Sequence, residues 1–275
     1  MIEKRNIPMA TLLLGGAALV LFAAEKLRPL RRQTQDEPSR TFRNAAMGAL
    51  SLTTVSMLEK PVLARLTRLV EERRLGIAQQ LPVPALARDA LAFLLLDYGI
   101  YVWHVLTHKL PALWRLHLVH HVDLDLDTTT ALRFHFVDMA VSVPWRALQV
   151  ALAGASPRAV QAWQTFFFLS VLFHHSNLRL PEQLERRLAW LLTTPRMHGI
   201  HHSAARGETN SNWSSGISWW DRLHRTFRLD VPQQRIAIGV PGYRDPNELR
   251  LGPSLALPFG RQRSAWDAPM VIRAD

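Results

Sequence analysis

Apolar residues in this chain are gathered into blocks, and the charged residues between them are mostly arginine. Residues 6–24 contain no charged side chain; as a helix this run is roughly 28 Å long, about one bilayer core. Lys4 and Arg5 precede it and Phe22-Ala23-Ala24 closes it, so a cleaved signal peptide is the rival reading. The length of the run favours a retained anchor. Residues 44–58 form a second, shorter uncharged run, which spans only with a thinned bilayer or the help of neighbours. Residues 59–88 mix Arg65, Arg68, Arg73 and Arg74 with apolar positions and read as an amphipathic surface helix plus a linker. Residues 90–106 form a third span with Asp97 inside it, an acid that at such depth must face protein. Residues 137–155 and 159–173 supply two more apolar stretches, split by Gly154-Ala155-Ser156-Pro157-Arg158. Pro144 and Arg146 interrupt the first, predicting a kinked or re-entrant segment. As a hairpin, the pair returns His174 and His175 to the side where His117 to His121 emerge.

This pattern predicts an all-α fold, a multi-span helical membrane protein with a cytosolic helical cap that carries a histidine cluster. Three regions follow. Residues 1–89 form an N-terminal membrane anchor region of two spans and an amphipathic segment. Residues 90–227 form the histidine-bearing domain, in which residues 180–192 read as an amphipathic helix. Residues 228–275, rich in Pro, Gly and Arg, form an irregular cytosolic tail. Lys26, Arg28, Arg31, Arg32, Arg40 and Arg43 outnumber the charges before the first span, which places their loop in the cytoplasm. By parity the basic segment 59–88 then lies outside, a placement the same charge rule opposes.

Composition narrows the chemistry. Of the 275 residues 48% are hydrophobic, the formal charge is +11, and there is no cysteine. Thiolate metal sites, disulfides and a cysteine nucleophile are excluded. A transition metal would need His and carboxylate ligands. No basic run is interleaved with aromatics as a nucleic-acid platform requires, so the charge reads as orientation signal and lipid contact, and no nucleic acid is expected. All 12 histidines fall between His104 and His224. On helices, His104 and His108 share one face, His117 and His121 another with His120 close by, and His198, His201 and His202 repeat that geometry. Eight imidazoles are too many for one tetrahedral zinc and suit a centre of two ions. His224, in a Trp-rich segment, reads as structural. His174 is open, and His175 reads as functional beside Ser176 and Asn177. Asp123, Asp125 and Asp127 alternate like a calcium loop, but without Gly at its sixth position or Glu at its twelfth they read as a polar turn.

These spacings carry a resemblance. His104-x-x-x-His108, His117-x-x-His120-His121 and His198-x-x-His201-His202 resemble, in spacing and order, the boxes of the fatty acid hydroxylase/sterol desaturase superfamily of membrane di-iron enzymes. Asp97-x-x-x-Tyr101, Arg133-Phe134-His135, Phe173-His174-His175-Ser176-Asn177 and the run from Asn212 to Arg222 resemble it too, so the likeness covers about residues 97–227. Phe136 and Asp138 depart from the Pro and acid that often follow the histidine matching His135, and Trp213 stands where Tyr is usual.

The resemblance implies two Fe ions, O2 as co-substrate, and hydroxylation or desaturation of a C–H bond in a lipid: fatty acyl, sterol or other isoprenoid. It implies ligands among His104, His108, His117, His120, His121, His135, His175, His198, His201 and His202. Asp97, Asn177 and Asp221 are candidates for orienting the far ring nitrogens. Electrons must come from a separate donor of reductase, ferredoxin or cytochrome type, since no dinucleotide fingerprint is present. The expected location is integral to a bilayer, a bacterial inner membrane, with the site on the cytoplasmic face. Two rival classes stand beside this reading. A membrane zinc hydrolase would carry a carboxylate base as in His-Glu-x-x-His, which is absent. A non-enzymatic metal-binding or transport protein would place its histidines within the spans rather than at their ends.

Overall fold

In the computed structural model, which describes residues 9–267, proline and glycine set many of the helix boundaries. The start of the first apolar run and the end of the tail lie outside the described residues. Helix α1 covers Met9–Leu27. Asp36 caps α2, Glu37–Thr54, its carboxylate accepting from Ser39 N at 3.3 Å. One π-turn, Val55–Glu59, joins α2 to α3, Lys60–Arg73. Pro61 has no N–H to return to the preceding turn, which accounts for the widened ladder there. After α4, Ile77–Gln80, the long α5 runs Ala85–Lys109. Leu110 is extended because Pro111 follows, and Pro111 opens α6, Pro111–His121.

A 3₁₀ turn at Thr128–Leu132 precedes α7, Phe136–Ala153. Gly154, at φ 72°, ends α7; Ser156 then caps α8, Pro157–His175, its hydroxyl accepting from Ala159 N at 3.1 Å. The remaining helices are short: α9 Glu182–Leu188, α10 Pro195–His201, α11 Arg206–Thr209, α12 Trp219–Leu223 and α13 Leu251–Ala256. The fold is all-helical; the described residues hold isolated bridges but no strand.

Helix α5 is the centre of the packing, touching α6, α7 and α8. Its Ala92, Leu96 and Ile100 meet Leu63 and Val70 of α3, Val150 and Ala153 of α7, and Val160 and Trp163 of α8. Each large apolar side chain buried here contributes on the order of 1.5–3 kcal/mol. Two glycines bring the α3–α4 and α7–α8 turns into contact. A Cβ on Gly76, at φ 80°, would stand 2.2 Å from Ala151 O and 2.4 Å from Gly154 N, so only glycine fits.

Helix α2 is polar on its inner face and apolar on its outer one. Arg40, Arg43, Asn44 and Ser51 are buried, while Phe42, Leu50 and Leu52 are exposed. Among the described residues one helix, α5, is long and apolar enough to cross a membrane by length and composition.

The tail from Arg228 braces the histidine helices. Val240, Tyr243 and Leu249 pack on Leu118 and Val122 at the end of α6. Ile236 and Ile238 pack on Ile200 of α10.

Candidate metal centre

Four helices deliver the clustered histidines to one buried volume. Helix α5 ends with His104 and His108, one turn apart, and α6 brings His117, His120 and His121. Helix α8 ends at His175; α10 carries His198 and His201, with His202 as its C-cap. The rings sort into two groups, in each of which the ligand atoms lie within 4.8 Å of one another: His104, His108, His117, His121 and His201, then His120, His175, His198 and His202. The two His-x-x-His-His boxes are thereby divided, while His104 and His108 stay together in the first group. From α6 the i,i+4 pair His117/His121 joins the first group and His120 the second. From α10 the pair His198/His202 joins the second group and His201 the first. The exchange is reciprocal, because the residue beside an i,i+4 pair points about 100° away from it on the helix.

Backbone carbonyls set the tautomers. His104 Nδ1 donates to Trp213 O at 2.7 Å, His201 Nδ1 to Ser211 O at 2.8 Å, and His175 Nδ1 to Val171 O at 2.8 Å. Each then turns an Nε2 lone pair into the cluster. In the second group His175 Nε2 stands 3.0 Å from His120 Nε2 and 3.0 Å from His198 Nε2, which is 3.1 Å from His202 Nε2. An Nε2 carrying a proton cannot also accept, so this set of contacts cannot be satisfied by hydrogen bonds alone. Donors at right angles on one ion with bonds of about 2.1 Å stand about 3.0 Å apart. In the first group His108 Nε2, His117 Nε2, His121 Nε2 and His201 Nε2 are buried without a hydrogen-bond partner.

His120, His121, His198, His201 and His202 are also shifted below the ordinary imidazole range, towards the neutral form that ligates. Burial, opposed in part by the Ser211 carbonyl, takes His201 down to about 3. His121 and His202 lie well below the ordinary imidazole range, through burial first and then the neighbouring imidazoles, His202 for the one and His120 for the other. Converging lone pairs, unsatisfied buried nitrogens and neutral rings fit two first-row transition ions of intermediate softness such as iron.

The other residues singled out in the sequence have definite places. Asp97 Oδ2 accepts from Ile217 N at 3.0 Å and Trp220 Nε1 at 2.7 Å. Asp221 accepts from Trp213 N at 2.8 Å and Ser214 N at 3.0 Å. Both therefore shape the 211–220 loop, whose carbonyls reach His104 and His201. Asn177 exchanges hydrogen bonds with the Arg31 backbone, accepting at 2.8 Å and donating at 2.8 Å. None of the three bonds a histidine ring.

His135 stands outside both groups, its Nε2 at 3.1 Å from Leu255 O and its Nδ1 accepting from Val137 N as the cap of α7. His174 lies beside the second group, its ring 4.1 Å from that of His198. His224 stacks on Tyr101 at 5.0 Å and bonds the Tyr98 hydroxyl at 3.1 Å.

Two features went unassigned in the sequence. Buried Asp138 has Oδ2 at 3.8 Å from His117 Nδ1, the nearest carboxylate to the first group's rings. The polar turn after His121 is a buried anion cluster filled by Arg40 from α2. Its Nε and Nη2 reach Asp123 at 3.0 and 2.8 Å, another nitrogen bonds Asp127, and Nη2 also bonds Thr130 Oγ1 at 2.7 Å. Burial alone would raise the Asp123 carboxyl, but Arg40, then Arg133, hold it well below the ordinary carboxylate range. Arg133 ties the same region together, bonding Val119 O at 2.9 Å and Ser254 Oγ at 2.9 Å. Phe134 stacks on His120 at 4.3 Å. The alternation of Asp123, Asp125 and Asp127, read from the sequence as a polar turn, is the signal that could have pointed to a buried cation partner.

Comparison with known proteins agrees with this geometry. The profile of the family described as Fatty acid hydroxylase matches residues 90–226, which hold every residue of both groups. Ornithine lipid hydroxylase OlsE of Rhizobium tropici is 30% identical over 182 residues, 65% of this chain and 52% of that protein. Alkylglycerol monooxygenase of Xenopus tropicalis is 32% identical over 153 residues, 54% of this chain and 32% of its own. Cholesterol 25-hydroxylase of Rattus norvegicus is 24% identical over 166 residues, 59% and 54% respectively. The match thus spans between a third and about half of each relative's length. No solved structure matches. With both imidazole groups inside the matched segment and its boxes in the expected order, the chain belongs to the fatty acid hydroxylase/sterol desaturase superfamily.

Proposed function

We propose that this protein is a membrane-bound di-iron oxygenase that uses O2 to hydroxylate a C–H bond of a lipid. The observation that carries this is the pair of buried imidazole groups, with no carboxylate in either. His104, His108, His117, His121 and His201 would hold one iron, and His120, His175, His198 and His202 the other. Iron bound there supplies activation of dioxygen. The overall change is C–H plus O2, two electrons and two protons to C–OH plus water. The chain's own residues bind the metals, fix their ligands through backbone carbonyls, and exclude water from the centre. An all-imidazole centre lacks the carboxylate base that a zinc hydrolase would use on its water.

The relatives named as hydroxylases and monooxygenases favour hydroxylation over desaturation, and the lipids in their names support a lipid substrate. The bilayer reading is supported by α5 and by α2, which turns apolar side chains outward and arginines inward. The helices then cross as several spans, with the metal centre in a cap on the cytoplasmic face, in a bacterial inner membrane. Residues 1–89, 90–227 and 228–275 form anchor, catalytic and tail regions. Electrons come from a separate donor, and the arginine-rich exterior suits an acidic one.

Comparative lipid mass spectrometry of cells with and without the gene tests the activity. A lipid gaining about 16 Da, one oxygen atom, is expected, and its absence alongside iron-free, zinc-loaded active protein would sink the reading.

A further inference from the structure

Large apolar side chains lie in the open beside the centre. Leu184 is 46% exposed, Trp190 62%, Leu191 55%, Trp219 46% and Leu223 67%. They belong to two adjoining segments. Trp219 Nε1 donates to Trp190 O at 2.8 Å, Ser218 N donates to Leu191 O at 3.1 Å, and Leu223 follows Trp219 by one turn of α12. Because the Trp219 indole N–H is satisfied within the protein, its ring can leave water without losing a hydrogen bond.

The same segment fixes the height of this patch. Ile217 N and Trp220 Nε1 both bond Asp97, and the Tyr98 ring lies 5.0 Å from that of Trp220. Asp97 precedes His104 on α5 by about 10 Å of helical rise, towards the apolar start of the helix. The patch is therefore anchored to α5 on the apolar side of the metal centre.

Cations rim it. Arg222 is held between the Trp190 ring at 4.0 Å and the Phe227 ring at 3.7 Å. Arg187 and Arg225 are exposed, with no acidic partner among the described residues. Trp and Leu bordered by arginine is the composition of a headgroup layer contact.

We propose that this face, resting on the reading of α5 as a span, enters the headgroup layer of the same bilayer. Its partner is an anionic lipid surface: the Trp and Leu side chains insert and the arginines take lipid phosphates. The cap is then seated in the membrane rather than held above it, and continuity with α5 favours lipid over a protein partner.

The chain has no cysteine, so single nitroxide labels can be placed on the full-length protein at Leu191→Cys, Leu223→Cys, exposed Ala90→Cys on α5 and exposed Gly207→Cys on α11. In nanodiscs containing phosphatidylglycerol, the oxygen-to-nickel accessibility ratio at Leu191 and Leu223 should exceed that at Gly207 several-fold. In an Arg187→Gln/Arg225→Gln background it should fall towards the value in neutral phosphatidylcholine discs. Water-exposed labels at Leu191 and Leu223 with a lipid-exposed label at Ala90 overturn the inference and leave the span intact. A water-exposed label at Ala90 removes the span and the inference with it. Protection of Leu191 and Leu223 that appears only on adding a purified ferredoxin assigns the face to a protein and also overturns it.

Discussion

Replacing Arg40 by Met keeps much of the aliphatic stem and removes the guanidinium with its charge and hydrogen bonds, so it tests the polar part of the N-terminal contact beside the histidine cluster. Arg40 is 2% exposed and both Asp123 and Asp127 are 0% exposed. Deleting the cation leaves two buried carboxylates with neutral donors, Gln33 Nε2 on Asp127 at 2.6 Å and Gln35 Nε2 and Asn44 Nδ2 on Asp123 at 2.7 and 3.2 Å, and with Arg43 at 3.4 Å and the more distant Arg133 as the cations left for Asp123. Removing one partner of a buried, hydrogen-bonded ion pair costs about 3–5 kcal/mol. At about 2–4 °C per kcal/mol for a chain of this size, the melting temperature in detergent should fall by roughly 6–20 °C. Arg40→Lys keeps the charge but cannot reach Asp123, Asp127 and Thr130 at once, so its loss should be smaller. The control is Arg228→Gln. Its pair with Asp230 has a comparable length of 2.9 Å but lies largely in water, where such pairs contribute about 0–1 kcal/mol. Differential scanning fluorimetry reads all three. Because Asp123 lies two residues after His121, bound iron should fall with stability in Arg40→Met. Equal losses for Arg40→Met and Arg228→Gln would refute the burial argument.

Other expectations follow from the divided boxes and from close packing. His117→Ala and His201→Ala, from different boxes, should lose the same ion, while His120→Ala and His198→Ala lose the other. Mössbauer spectra of the residual iron, about one per chain against about two, should pair by group, and pairing by box would break the assignment. Gly216→Ala places a Cβ 2.2 Å from Asp97 Oδ1 and 2.7 Å from Phe166 Cε1. Asp97 is pinned by two donors, so a loss of about 1–3 kcal/mol is expected. Gly207→Ala, where nothing lies within 4 Å, should be neutral. Stripping the metal with a chelator should lower the melting temperature, and ferrous iron should restore it. An unchanged melting temperature would mean the imidazoles do not need an ion to sit together.

Much of the site was legible because its chemistry is carried by spacing. The i,i+4 and i,i+3 intervals within each box are enough to put His117 with His121, and His198 with His202, on shared helix faces. What the intervals could not show is the exchange of His120 and His201 between groups, which depends on how α6 and α10 approach each other. Asp97, Asn177 and Asp221 are polar residues near histidines in sequence, yet their bonds go to backbone and indole. Hydrogen-bond partners of a buried acid depend on loop path, and no periodicity encodes that. The helices themselves were read from apolar runs and from the break between Gly154 and Pro157, whereas the boundary at Pro111 was not used. The inward arginines of α2 were the harder part, since a run of charge before an apolar stretch looks the same whether its side chains meet lipid, solvent or Asp123.

The carbonyls of Trp213, Ser211 and Val171 have a practical consequence for anyone probing this centre. The groups that aim His104, His201 and His175 belong to the main chain, so no single side-chain replacement deletes them. Ser211→Ala, for example, leaves the carbonyl that aims His201 in place, so a side-chain scan does not report on it. Amide-to-ester exchange weakens the carbonyl of the residue before the ester, so it can expose this dependence where a library of natural amino acids cannot.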